Sequence, residues 1–314
     1  HYTWWEKNVG DYTFFQNDNN TRGMDLNPVT GHLLVASRTE GNNIHVLEAE
    51  NGTYLSSLDM SDVSGGVFPI TLVSVANDGV IYGCNLTTNG AGFKFYRWEN
   101  ESSAPTVAFE GDLDQRVGDS FTVIGSGANT IVYASGSDVT KIYVFTTTDG
   151  QSFSLFDEIP ILSSLARGGI APVADTLGSD IWVNCSGKQA ALIDTSGTVI
   201  TTIDTSMNTF FAHIDYLETG DGRKLIAVAG GNCGDVPACM RSEVWDVTDS
   251  FNPWRFAYGS MTNTPVANVN GTGIAILEEK ENGILNLYHL RSNNGIALYC
   301  GEIMENTPPT AFHL

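Results

Sequence analysis

Short apolar segments alternate with polar turns along the whole chain, and one of these segments recurs six times. It reads HLLVAS from His32, VIYGCN from Val80, TIVYAS from Thr130, DIWVNC from Asp180, KLIAVA from Lys224 and GIAILE from Gly273. Residues that favour tight turns, chiefly Gly, Asn and Asp, come just before each copy. Segments of this length and composition are typical of buried β-strands.

Each copy is preceded by one further apolar segment and followed by two, which gives a unit of four strands. In the last unit these flanking strands are predicted at TPVANVNG (residues 264–271), ILNLYHL and GIALYCG. The copies are spaced by roughly 44 to 51 residues, in or near the range of a propeller blade. No segment has a helical period. The pattern therefore predicts an all-β fold, a six-bladed β-propeller of four-stranded blades over residues 21–303, complete without a strand from either terminus.

Two terminal segments are left over by this count. Residues 304–314 form a C-terminal tail, and residues 1–20 form an arm rich in aromatic and Thr residues, a composition that favours strands. We expect the arm to be a protein interface that pairs with a neighbouring protomer. The alternative is that it adds a strand to its own ring or plugs the channel. The predicted interface residues are Tyr2, Trp4, Trp5, Tyr12, Phe14 and Phe15.

Composition narrows the choice of partners. The chain has 36 acidic and 15 basic side chains and a formal charge of −21, so it lacks the cations that a phosphate backbone requires, and no nucleic acid partner is expected. No apolar run approaches the roughly 20 residues needed to cross a bilayer, so no membrane span is predicted. A hydrophobic content of 42% is sufficient for a folded core.

Several features are typical of a secreted protein. The chain starts at His1 without a signal peptide, as it would after cleavage of one. Cys233 and Cys239 enclose a five-residue loop and are expected to form a disulfide in an oxidising compartment, whereas Cys84 and Cys185 end similar strands and are expected to be buried thiols. Six glycosylation sequons are present, at Asn19, Asn51, Asn85, Asn100, Asn184 and Asn270.

Three stretches of the sequence carry a resemblance to a known group. TRGMDLNPVTGHLLVASR, GGVFPITLVSVANDGVIYGCNLTT and FKFYRWENESSAPTVAFEGD resemble a family of secreted bacterial six-bladed propellers of uncharacterised function. The resemblance implies a propeller fold and an extracellular location, and carries over no catalytic residue. The Asn- and Thr-rich composition with spare arms is also similar to that of propeller protomers of extracellular fibrils from environmental water samples.

Ligands of propellers usually bind near the innermost strands, at one end of the central channel. Three basic side chains precede predicted innermost strands, at Arg22, Arg116 and Arg167. Together they would bind a carboxylate or phosphate. The alternative, which we favour in so acidic a chain, is that they are structural partners of acidic residues. The acidic candidates are Asp25, Asp119 and Asp175.

A second group of channel candidates carries carboxylates. His213 and Asp215 lie two apart on a predicted strand and so face the same side, as a metal-binding or acid–base pair would. Asp25, Asn268 and Asp215 are candidate oxygen ligands for a Ca²⁺ ion, either structural or part of a lactonase-like or esterase-like hydrolase. No nucleophile elbow, phosphate loop or dinucleotide motif is present.

These observations favour a protein without catalytic activity or a required cofactor. We predict an extracellular structural or interaction protein that assembles with itself, head to tail, through its terminal arm. The alternatives are the Ca²⁺-dependent hydrolase and a glycan-binding propeller that uses exposed aromatic residues of its outer strands.

Overall fold

The computed structural model describes residues 2–203, 211–230, 233–268 and 272–303. Strands make up nearly all of its regular structure, in six antiparallel sheets of four strands each. Blade one contains β2 Thr21–Asn27, β3 His32–Ser37, β4 Asn43–Glu48 and β5 Tyr54–Ser57, and blade two contains β6 Phe68–Val75, β7 Ile81–Leu86, β8 Phe93–Trp98 and β9 Thr106–Gly111. Blade three contains β10 Ser120–Ile124, β11 Ile131–Ser135, β12 Lys141–Thr147 and β13 Phe153–Pro160. Blade four contains β14 Gly169–Pro172, β15 Ile181–Asn184, β16 Ala191–Ile193 and β17 Val199–Thr202, and blade five contains β18 Phe211–Glu218, β19 Lys224–Gly230, β20 Arg241–Asp246 and β21 Trp254–Ser260.

Blade six is closed by the N-terminus. It contains β22 Gly273–Lys280, β23 Ile284–Arg291, β24 Gly295–Glu302 and, as its outermost strand, β1 Tyr2–Asn8. The fold class predicted from the sequence is confirmed, but the prediction that blade six is complete without a terminal strand is wrong. The segment GIAILE is the innermost strand of this blade, whereas the sequence pattern predicts it as the second strand. The predicted strands of blade six are therefore shifted by one position.

The segment predicted as the innermost strand of blade six, residues 264–271, is a loop where the structure describes it. Side chains at the tip of the β23–β24 hairpin hold its backbone. Asn294 accepts a hydrogen bond from the Val266 amide and donates one to its carbonyl oxygen, which Arg291 also contacts at 2.9 Å. Because these side chains satisfy the backbone groups, the segment needs no neighbouring strand.

Apolar side chains fill the spaces between blades. The described residues form six hydrophobic clusters, one at each interface between neighbouring blades. The interface of blades two and three is the most aromatic. The Phe95 ring packs against those of Phe109, Phe145 and Phe153 at centroid distances of 5.3–5.5 Å, and the rings of Phe109 and Phe145 lie 4.6 Å apart. Both faces of the inner strands are therefore buried, which explains why these strands are almost continuously apolar in sequence.

The predicted disulfide between Cys233 and Cys239 is confirmed, and Cys84 and Cys185 are buried free thiols as predicted. Cys300, for which no prediction was made, is also a buried free thiol. The disulfide fits a protein of an oxidising compartment such as the cell exterior. No helix in the described part of the chain is long and apolar enough to cross a membrane.

The sequons fall into two groups. Asn51 and Asn100 are exposed, whereas Asn85 and Asn184 are completely buried. The Asn85 side chain bonds the backbone of Gly92 and Lys94, and that of Asn184 bonds the carbonyl oxygen of His213. Glycans at these two buried positions are incompatible with the fold. Asn19 is half-buried, and Asn270 lies outside the described residues.

Candidate functional site

The innermost strands β2, β6, β10, β14, β18 and β22 surround a central channel. A cavity of about 740 Å³ lies where these strands end, and one of about 350 Å³ lies where those of blades one to four begin. We call the first the acidic chamber and the second the basic mouth. Between them, a cavity of about 20 Å³ shares lining residues with both. It has room for about one water molecule, so the channel is divided into two compartments.

Polar side chains on the channel strands join neighbouring blades. Asp25 accepts hydrogen bonds from the Val75 amide at 2.7 Å and from the Ser74 hydroxyl at 3.0 Å. The Ser74 hydroxyl oxygen in turn accepts a bond from the amide of Val123 in blade three. These contacts connect blades one, two and three through polar side chains of the channel strands. Their role is structural, because each satisfies a backbone amide of the next blade.

His213 and Asp215 make the corresponding contacts between blades five and six. The ring Nδ1 of His213 accepts a bond from the Ala275 amide at 3.2 Å, and Asp215 accepts one from the Leu277 amide at 2.8 Å. Burial lowers the pKa of His213 to about 4, so its ring is neutral and Nδ1 is free to accept. The two residues thus bind neighbouring backbone and have no contact that marks them as an acid–base pair.

Among the described residues, no Lys or Arg side chain lines the acidic chamber. Its carboxylates are Asp25, Asp175, Asp215, Glu218, Glu278 and Glu279. Burial raises the pKa of Asp215 to about 7, with a contribution from the charge of Asp25, and burial raises the pKa of Asp25 to about 6. The low dielectric of the channel therefore disfavours charge on both carboxylates.

The expected calcium ligands do not converge. Asp25 and Asp215 line the chamber, but Asn268 is not part of its lining and donates to the Thr272 carbonyl oxygen. Among the described residues, no three His, Cys, Asp or Glu side chains are grouped so that they could hold a metal ion. The carboxylates of Asp25 and Asp215 are instead acceptors for the backbone amides of Val75 and Leu277.

The basic mouth brings together the three arginines singled out in the sequence. Arg22, Arg116 and Arg167 all line it. Burial lowers the pKa of Arg22, and the charges of Arg116 and Arg167 lower it further, against the opposing effect of Asp119. Arg116 binds Asp119 through two bonds of 2.7 and 2.8 Å. The structural-partner alternative thus holds for this one pair.

The other two acidic residues considered as arginine partners are engaged elsewhere. Asp25 binds blade two, as described above, and Asp175 accepts a 2.5 Å bond from the Asn77 side chain. Arg22 donates to the Asn19 carbonyl oxygen at 3.3 Å. The side chain of Arg167 has no hydrogen-bond or ion-pair partner in the described part of the chain.

A fourth arginine, Arg38, lines the mouth and was not among the residues predicted from the sequence. Arg38 follows β3, and its guanidinium lies over the Phe68 ring, 3.8 Å from the centroid. The β2–β3 hairpin could have indicated the position of Arg38. Thr21 pairs with Ser37 in this hairpin, so the residues that follow them, Arg22 and Arg38, lie at the same end of the blade.

The aromatic residues of the N-terminal segment differ in how far they are buried. Tyr12, Phe14 and Phe15 are buried in the cluster between blades one and six. Trp5 is half-buried and donates its indole hydrogen to the Ala49 carbonyl oxygen, whereas Trp4 is 58% exposed. Tyr2 belongs to β1. Of the predicted interface residues, the three buried ones serve the protein's own core.

Fold and channel define a six-bladed propeller whose channel is acidic at one end and basic at the other. The solved structures similar to it include a DUF4623 family protein from Bacteroides eggerthii, with a TM-score of 0.74 and 18% identity over 93% of this chain and 72% of that one. AofleA from Arthrobotrys oligospora has a TM-score of 0.60 and 13% identity over 95% and 86% of the two chains. An α-L-arabinanase from Penicillium chrysogenum, complexed with arabinobiose, has a TM-score of 0.56 and 10% identity over 96% and 99%.

At these identities the similarities show a shared fold alone. No family model matches the chain, and no curated protein sequence matches it.

Proposed function

We propose that the protein is an extracellular, non-catalytic propeller that assembles with copies of itself by exchanging its N-terminal strand. One observation carries this proposal: the outermost strand of blade six, β1, comes from the opposite end of the chain and, among the described strands, pairs with β24 alone. A strand held in this way can complete blade six of its own chain or of a neighbouring one, with the same contacts in both cases.

The segment after β1 supports the exchange, because it offers a hinge followed by an anchor. Gly10 is exposed and has a backbone φ of +91°, a conformation that favours glycine. Tyr12, Phe14 and Phe15 then pack into the protein's own core. Strand β1 can therefore leave while the following aromatics stay in place. A short hinge next to a strand is an arrangement that favours exchange between chains.

This proposal revises the role of the arm. The aromatic residues predicted to bind a neighbour are divided between a donated strand, β1, and an anchor that fixes the point from which it leaves. If the exchange is not reciprocal, each protomer donates to the next and the contact propagates head to tail. The exposed indole of Trp4 lies on the donated strand. The C-terminal tail, residues 304–314, lies outside the described residues.

An engineered disulfide tests whether β1 pairs with its own chain. Glu6 and Ala297 are register partners, and both face blade five, where Glu6 binds the amide of Thr262 and Ala297 packs in the cluster between blades five and six. We would purify the Glu6→Cys/Ala297→Cys variant, oxidise it, alkylate the remaining thiols before denaturation and run it on a non-reducing gel beside size-exclusion chromatography and electron microscopy.

Exchange predicts assemblies whose chains are cross-linked into a ladder of multimers. The matched control is Lys94→Cys/Glu110→Cys, a pair across β8 and β9. Both strands belong to one continuous blade, so this disulfide is intramolecular in every assembly. Assemblies that yield only monomers with both variants, or particles of one chain at all protein concentrations, would contradict the proposal.

A further inference from the structure

The basic mouth concentrates positive charge in a strongly acidic protein. Four of the 15 basic residues line a cavity of about 350 Å³, against two carboxylates, so its lining carries a formal charge of +2 in a chain of −21. The basic residues are Arg22, Arg38, Arg116 and Arg167, and the acidic ones are Asp18 and Asp119. Like charges at close range are costly when they are partly buried, so an arrangement of this kind needs a compensating anion.

Two buried polar groups at the same cavity have no partner among the described residues. Thr71 is 5% exposed and lines the mouth, and its Oγ1 makes no hydrogen bond. The Nη1 atom of Arg38 is likewise buried and unpaired, although Nη2 contacts the Asn20 side chain at 3.4 Å. Buried polar groups of folded proteins are nearly always hydrogen-bonded, so these two groups at the cavity wall are available to bind a ligand.

The acidic residues at the mouth are already engaged. Asp119 holds Arg116 and accepts the amide of Ser137 at 2.8 Å, and Asp18 accepts bonds from Asn20 and from the Thr39 hydroxyl. Arg167 has no partner in the described part of the chain, and Phe68 holds the Arg38 guanidinium from one side. The mouth therefore retains donors that its own carboxylates do not use.

From this arrangement we infer that the basic mouth is a binding site for a small molecule that carries a phosphate or sulfate group. Donors from Arg38, Arg167 and Thr71 reach the cavity from three different blades, which suits a tetrahedral oxyanion better than a planar carboxylate with two oxygens. The surplus of two positive charges matches the charge of a phosphate monoester. The volume lies at the lower end of the range for small-molecule pockets, and leaves room for a body the size of a monosaccharide.

The site is independent of strand exchange. It is built by blades one to four, whereas β1 completes blade six, so either function can fail without the other.

Calorimetric titration of the full chain tests this inference, with glucose 6-phosphate, glucose 6-sulfate and glucuronate as probes at one ionic strength set with NaCl. We expect saturable binding of the phosphate or sulfate ester, tighter than that of glucuronate. The Arg167→Gln variant should bind at least about tenfold more weakly, as expected for the loss of a hydrogen bond to a charged group. Arg38→Lys keeps the charge but loses the forked donor, and should also weaken binding.

The control is Arg241→Gln, which removes an arginine in blade five that stacks on Tyr258, 5.2 Å from the ring centroid, and should leave binding unchanged. A second readout needs no ligand: removing Arg167 relieves repulsion in the mouth, so the melting temperature of Arg167→Gln in NaCl buffer should equal or exceed that of the parent. A lower melting temperature would assign Arg167 a structural role and overturn the inference. The absence of saturable binding, equal binding by parent and Arg167→Gln, or a preference for glucuronate would also overturn it.

Discussion

Replacing Asp215 by Asn is expected to stabilise the protein at alkaline pH and to have little effect in acid. The side chain lines the channel, is partly buried there and accepts the amide hydrogen of Leu277 at 2.8 Å. Its pKa is raised from 3.8 to about 7, chiefly by burial and also by the charge of Asp25, while the hydrogen bond from the Leu277 amide opposes both. An asparagine keeps an oxygen for that amide and carries no charge at any pH.

The sign of the effect follows from the raised pKa. The folded protein holds a proton on Asp215 that the unfolded chain releases near pH 4, so the stability from this protonation is fully present below about pH 4 and is lost as the pH rises through 7. A rise in pKa from 3.8 to about 7 corresponds to about 4 kcal/mol, at about 1.4 kcal/mol per pKa unit. Since part of this comes from repulsion by Asp25, we expect a difference of about 2–4 kcal/mol at pH 8 and of about 1 kcal/mol or less at pH 4.5.

The assay is urea unfolding followed by tryptophan fluorescence at pH 4.5, 6 and 8, with the free energy of unfolding compared between parent and variant. Asp62→Asn is the matched control, because Asp62 is an exposed turn residue with φ of +65°, a conformation that Asn also tolerates. Because Asp62 is exposed, its replacement should change the free energy of unfolding by little. If the difference between Asp215→Asn and the parent is the same at all three pH values, or shrinks as pH rises, the reasoning from burial is refuted.

Further predictions concern the core, the histidines, the disulfide and the sequons. Phe15→Ala removes a side chain that is 1% exposed between blades one and six, and should lower the free energy of unfolding by about 3–5 kcal/mol, whereas Phe251→Ala, at a side chain that is 70% exposed, should change it little; chemical denaturation decides. Burial lowers the pKa of His45 to about 4 and of His289 to about 3, so the stability from their neutral rings is present above about pH 6.5 and is lost as pH falls through 4. His289→Leu should therefore move the acid-unfolding midpoint to lower pH, and an unchanged midpoint would contradict this. Cys239→Ser should cost about 2 kcal/mol, since the loop that the disulfide closes is short, and a loss of more than twice that amount would show a larger role. Expressed in a glycosylating host, the protein should carry glycans at Asn51 and Asn100 and none at Asn85 or Asn184, which peptide mass spectrometry will test.

The repeat of apolar segments was enough to predict the propeller and the first five blades strand by strand, because buried strands are nearly continuous apolar runs and tight turns require Gly, Asn and Asp. The Cys233–Cys239 disulfide and the buried thiols of Cys84 and Cys185 were also predictable from the sequence. The short separation of Cys233 and Cys239 and the apolar strands around Cys84 and Cys185 are local properties, visible in sequence without knowledge of distant contacts.

Only the tertiary structure decided how the ring closes and what the channel contains. The pairing of β1 with β24 joins residues that are nearly a whole chain apart in sequence. The loop at residues 264–268 has the composition of a strand, but the side chains of Arg291 and Asn294 form hydrogen bonds with its backbone. The same holds for the basic mouth, which Arg38 completes through a hairpin register, and for Asp215, whose neighbour Leu277 lies in the next blade. Pairing across long separations depends on which backbone groups remain unsatisfied after local structure has formed, and only the assembled ring determines that.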